Sequence, residues 1–142
     1  MNYNPISVTG ATFSPLASQH SGAPILLNRA AGVTVTLPAA TGSGAKFHFI
    51  VGTTVTSNNN VIQVTGNDIM AGGAWLSQDS ADTVVMFETA ADSDTITANG
   101  STKGGIKGES IELIDIAADT WWVRVMGSAT GTEATPFSAA VS

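Results

Sequence analysis

Apolar and polar residues alternate in short runs along most of this chain, and Gly, Ser, Asn and Asp punctuate the runs. Val33-Thr34-Val35-Thr36-Leu37 is typical. Successive side chains of a pleated ribbon point to opposite faces, so this run offers one oily face and one hydroxyl face. Such a strand is half buried and suits an antiparallel sheet. The same reasoning predicts strands near Ile25 to Asn28, Val33 to Leu37, Lys46 to Val51, Val61 to Thr65, Ala74 to Ser77, Thr83 to Glu88, Thr95 to Ala98, Ser110 to Ile116 and Thr120 to Met126. Leu37-Pro38 with Thr41-Gly42-Ser43-Gly44 separates two of them, because proline removes a ladder donor and glycine allows positive φ. Asn58-Asn59-Asn60 reads as a hairpin tip, since Asn tolerates the left-handed region. No segment sustains a helical period for three turns, and Met86 to Asp92 allows one turn at most.

The expected fold is all-β: a single domain built as an antiparallel β-sandwich, jelly-roll-like or a small barrel, with extended N- and C-terminal arms. Residues 1–24 carry Pro5, Pro15 and Pro24 among Ser, Thr and Gly, which favours extended backbone and predicts an N-terminal arm. Residues 25–127 form the β domain. Residues 128–142 resemble the first stretch in composition and predict a second arm anchored by Phe137.

The inward positions of the strands give a candidate core of Val33, Val35, Leu37, Phe47, Phe49, Val51, Ile62, Val64, Val85, Phe87, Ile111, Leu113, Trp121, Val123 and Val125. At roughly 1.5 to 3 kcal/mol for each buried large apolar side chain, that set suffices to organise one sandwich. With Trp121 inward, Trp122 faces outward, where an aromatic ring is a candidate contact site.

Composition changes the picture in one respect. Only 11% of the 142 residues are charged, against about 25% in an ordinary globular domain. A surface of methyl and hydroxyl groups loses little side-chain entropy on contact, which suits burial against other subunits. The net charge of −6 repels a phosphate backbone, so nucleic acid is not an expected partner. No apolar stretch approaches the ~18 residues of a membrane helix, and Met1-Asn2-Tyr3-Asn4-Pro5 lacks the basic and apolar regions of a signal peptide. Neither membrane insertion nor export is expected. With no cysteine, stability must come from packing or association, which fits folding in a reducing cytoplasm.

Candidate chemistry is sparse. His48 lies between Phe47 and Phe49, so alternation sends it to the outer face as a solvated or interface residue, and His20 has no evident partner. Asp79, Asp82, Asp92 and Asp94 fall in two turn-like stretches that lack the spacing of a calcium loop. Gly100 to Gly108 departs from the phosphate-loop pattern and reads as a flexible hairpin loop carrying Lys103 and Lys107. No catalytic residue, metal ligand or cofactor is assigned, and the chain is not expected to be an enzyme.

Two stretches carry a resemblance. Thr36 to Val51, through Leu37-Pro38-Ala39-Ala40 and Lys46-Phe47-His48-Phe49, resembles a recurrent β-strand pair in structural proteins of tailed bacteriophages. Gly108 to Ile114 with Asp119-Thr120-Trp121-Trp122-Val123 is similar to the closing hairpin of the same group. The resemblance implies a head decoration (cement) protein, a homo-oligomer and specifically a trimer, made in the host cytoplasm and seated on the outer surface of the virion's capsid with the major capsid protein as partner. Decoration proteins of this kind commonly grip with extended termini, so Tyr3, Pro5, Ile6, Val8 and Phe137, with Trp75 and Trp122 on the body, become the expected capsid or subunit contacts. The alternative is a receptor- or carbohydrate-binding module of a tail fibre or spike, with Trp75 and Trp122 as platforms for sugar rings.

Overall fold

Alternation resolves into strands because each ribbon has one apolar face to hide, and two such layers hide each other. The computed structural model describes residues 4–141 and carries twelve strands and one helical turn among them. A seven-stranded sheet runs β1 (Ile6–Val8), β3 (Pro24–Leu27), β5 (Lys46–Val51), β10 (Ser110–Ala117), β11 (Thr120–Ala129), β7 (Ile69–Gln78), β8 (Val84–Glu88) in spatial order. Facing it, a five-stranded sheet runs β12 (Phe137–Ser138), β9 (Thr95–Ala98), β6 (Asn60–Gln63), β4 (Thr34–Thr36), β2 (Thr12–Phe13). The protein is an all-β sandwich.

The strands expected from alternation are present, and thirteen of the fifteen expected core residues are buried, joined by Ile25, Leu27, Met70, Leu76 and Ile96. Val33, Val35, Phe47, Phe49, Leu113, Trp121 and Val125 are completely excluded from solvent. Phe47 packs on Trp121 with ring centroids 5.7 Å apart. Val85 and Phe87 are only half buried, because β8 is the last strand of the wider sheet.

Strand direction departs from the antiparallel expectation: both sheets are mixed. The chain crosses between the layers at nearly every connection, and among the described residues the only consecutive strands paired within one sheet are β7–β8 and β10–β11. A strand that returns to its own layer by way of the opposite one comes back in the same direction. Thus β1, β3 and β5 pair in parallel, with Ile6, Ile25 and Phe49 in one register row. Their intervening strands β2, β4 and β6 do the same, with Thr12, Thr34 and Val61 aligned. Residues 6–63 therefore form a flattened coil of alternating layers. Alternation specifies which face is buried but says nothing about the direction of the neighbouring strand.

For the same reason Asn58-Asn59-Asn60 is not a hairpin tip. Asn58 does adopt φ 53°, yet the turn carries the chain from the seven-stranded to the five-stranded sheet, where the Asn60 side chain accepts the Val33 N–H at 3.0 Å. The single helical turn, α1, is Ala17–His20 and not Met86 to Asp92, most of which is strand or turn.

The segments expected as arms are woven into the sandwich over their described residues. Val8 is 6% exposed, Ile6 packs on the core, and β1 and β2 occupy edges of the two sheets. At the other end, β11 runs on to Ala129, and Phe137 aligns with Ile96 and is buried. The Asp94 carboxylate then accepts the N–H groups of Ala140 at 2.8 Å and Val141 at 3.2 Å. Few apolar side chains are needed to hold such short strands when a sheet edge offers them ladder hydrogen bonds.

Candidate functional site

Strands that turn one face to the core turn the other outward, and on the seven-stranded sheet that outer face is unusually apolar. In one register row lie Leu26, Ile50, Ser110, Met126, Trp75 and Met86, contributed by β3, β5, β10, β11, β7 and β8. Met126 is 54% exposed and Met86 58%, and Val84, two residues before Met86, is 59% exposed. Gly73 lies beneath two members of this row. A methyl there would stand 3.4 Å from the outer edge of the Trp75 ring and 3.5 Å from the Met86 methyl, so both side chains rest over the glycine.

The neighbouring row is polar: Pro24, His48, Glu112, Arg124, Gly73 and Glu88. Glu112 sits between two cations, 3.4 Å from Lys46 and 3.7 Å from Arg124. Arg124 also lies over the Trp122 ring, 5.4 Å from its centroid. His48 shares a 2.7 Å hydrogen bond between its Nε2 and the Ser110 hydroxyl. Beyond it, Ile114 and Trp122 are directly opposed. The face thus alternates an oily band with a self-neutralised charged band. Among the described residues no pocket opens and no three metal-ligating side chains converge, so the arrangement offers area for contact.

The expected contact residues divide into two groups. Trp75 and Trp122 share this outer face on neighbouring strands, offset by four positions or about 13 Å. Each is half buried, Trp75 against Gly73 and Trp122 beneath Arg124. Ile6, Val8 and Phe137 belong instead to the protein's own interior, because each occupies the inward position of a short strand. Pro5 is exposed, and Tyr3 lies outside the described residues. Met126, Met86, Val84, Leu26, Ile50 and Ile114 were not singled out from sequence. Their signal was available: each is an apolar residue at an outward position of an alternating strand.

Two buried carboxyls shape the ends of the sheet. Asp115, at the end of β10, accepts hydrogen bonds from the backbone N–H groups of Thr41, Gly42 and Ser43 at 2.7 to 3.2 Å and from the Ser43 hydroxyl at 2.7 Å. Burial opposes its charge, but the Ser43 hydroxyl and these three amides outweigh burial and hold the carboxyl below its ordinary range. Glu109, just before β10, is 1% exposed and accepts one hydrogen bond, from the Gly105 N–H at 2.9 Å, while its Oε1 has no partner. Burial pushes it up to about 7 against the opposing effect of that single bond. Gly104 and Gly105, both at positive φ, let the loop from Asn99 fold down over this carboxyl. The loop expected to be a solvated hairpin is thus a cover, closed by a bridge between Ser101 and Gly104.

No protein-family model, curated protein or solved structure matches the chain.

Proposed function

We propose that this protein is a structural component of a tailed-bacteriophage virion, a head decoration protein that associates as a trimer and binds the outer surface of the capsid, clamping adjacent copies of the major capsid protein. The observation that carries this reading is the row from Leu26 to Met86 on the outer face of the seven-stranded sheet, apolar but for Ser110, with Met126 and Met86 each more than half exposed. Contiguous apolar surface rimmed by polar residues is characteristic of protein contacts. Here the charges of the polar rim balance, Glu112 and Glu88 against Lys46 and Arg124, so no net charge is carried into a contact. Several modest contacts joined in one oligomer raise the effective concentration of each, which gives a clamp its strength. The net charge of −6 keeps the particle exterior from adhering to free nucleic acid.

The test is a pair of measurements on the intact protein: its mass in dilute solution, and its co-sedimentation with capsids of the same phage assembled without it. A trimer that saturates the capsids is expected. A monomer that ignores them overturns the reading.

A second reading, a receptor- or carbohydrate-binding module of a tail fibre or spike, draws on the half-exposed rings of Trp75 and Trp122. Antibody labelling of intact particles distinguishes the two by marking the tail in place of the head.

A further inference from the structure

Among the described residues the sandwich has four sheet edges, and they differ in length. β1 has three residues, β2 and β12 two each, so each of these edges is too brief to template another strand. β8 has five, Val84-Val85-Met86-Phe87-Glu88, with no proline and no lysine. The hydrogen bonds from Gln78 N–H to the Thr83 carbonyl and from Thr89 N–H to the Gly72 carbonyl mark which residues of this strand face β7. In an antiparallel ladder alternate residues point their backbone groups to opposite sides. Thr83, Val85, Phe87 and Thr89 therefore bond inward, and Val84, Met86 and Glu88 aim their N–H and C=O groups away from the sheet.

We infer that the β8 edge is a strand-addition site for an extended segment of a partner protein in which apolar residues alternate with lysine or arginine. The half-covered inner face of β8 and the carboxylates around the strand set that pattern. On the core side Val85 and Phe87 are only half covered, so an added strand places apolar side chains beside them. At the two ends stand exposed carboxylates, Asp79 and Asp82 in the preceding turn, Glu88 on the outer face, and Asp92 in the turn that follows. No lysine or arginine lies anywhere from Phe47 to Thr102, so β7, β8 and their flanking turns carry no cation of their own. A basic strand supplies one. Main-chain bonds then give affinity, and side chains on alternate positions give selectivity.

Charge also argues against a second copy as the occupant. A two-fold antiparallel pairing centred on Met86 places each Glu88 opposite the other copy's Val84 and diagonal to its Asp82. Diagonal neighbours in a sheet are about 7 to 8 Å apart, so a pair of like charges would face each other at each end of the pairing. This inference concerns the edge alone and does not depend on the decoration reading, which rests on the sheet's face.

The test titrates the full chain with two end-blocked heptapeptides, one alternating lysine with valine and one alternating glutamate with valine. Binding of the basic peptide is expected, about ten-fold or more tighter than the acidic one and weakened by salt, with new amide protection at Val84, Met86 and Glu88. Met86→Pro deletes an outward N–H without touching an internal bond, so it should abolish binding while urea unfolding stays close to that of the parent. Glu88→Lys combined with Asp82→Lys should reverse the peptide preference, which keeps the test decisive if the proline variant fails to fold. Equal affinity for both peptides, no binding of either, or a concentration-dependent dimer that Met86→Pro dissolves would each overturn the inference.

Discussion

The Ser43 hydroxyl donates to the Asp115 carboxylate at 2.7 Å, tying together positions 72 residues apart. Three consecutive backbone N–H groups, those of Thr41, Gly42 and Ser43, converge on the same carboxylate. The loop before β5 is therefore held by one side chain from the end of β10. Asp115→Asn replaces an acceptor oxygen with a donor facing those amides, and a loss of about 2 kcal/mol in urea unfolding near pH 6 is expected. Because the native carboxyl titrates below its ordinary value of 3.8, its contribution is present above that value and disappears as pH falls through the lowered one. The variant should therefore lose part of the parent's acid limb.

Glu109 has the opposite sign. Below its ordinary value of 4.5 both the folded and unfolded forms are protonated, and above it the unfolded chain releases a proton that the native protein keeps until about pH 7. Stability should fall by about 3 kcal/mol between these two values and then level off. Glu109→Gln removes the titrating group at nearly constant shape, so a denaturation series from pH 4 to 8 should lose this decline. An unchanged decline in the variant would place its source elsewhere.

Arg124 lies over Trp122 and also pairs with Glu112 at 3.7 Å, but nearly half of its side chain is exposed to solvent. Arg124→Ala should therefore cost under about 1 kcal/mol. It should also uncover the indole, and iodide quenching of tryptophan fluorescence reads that change directly.

Met126 is apolar, outward and 54% exposed at the centre of the register row. Met126→Lys should leave the unfolding free energy within about 0.5 kcal/mol of the parent, as exposed substitutions usually do. Under the proposed function the same variant loses co-sedimentation with capsids. Retained binding would move the contact away from this face.

Much of the molecule was legible from local pattern alone. The strands from Ile25 to Met126 and the burial of Phe47, Phe49, Leu113 and Trp121 follow from alternation, which is a property of neighbouring residues. What escaped depends on distant ones. β1, β2 and β12 are two or three residues long, too short to alternate visibly, and each exists because a remote strand offers it a ladder. Gly72-Gly73 hid the first half of β7, because two residues without side chains cannot show alternation. Asp115 and Glu109 carry no signal in the sequence, and only the loops at residues 41–43 and 104–105 give them their distinct environments. For the candidate site, Trp75 and Trp122 were found as isolated aromatics. The band joining Trp75 to Met126 and Met86 appears only when register aligns three strands.

The strand order has a consequence for biosynthesis. β10 and β11 are inserted between β5 and β7, so the wider sheet stays split into two fragments until residue 129 has been made. A nascent or truncated chain that stops short of that point bares the long flanks of both fragments, rich in Phe47, Phe49 and Leu76, to any passing strand. Pairings of this range also form slowly. Maturation of this polypeptide is thus a race between completing its own central ribbon and clumping with its siblings, and abundant production at low temperature should favour the soluble product.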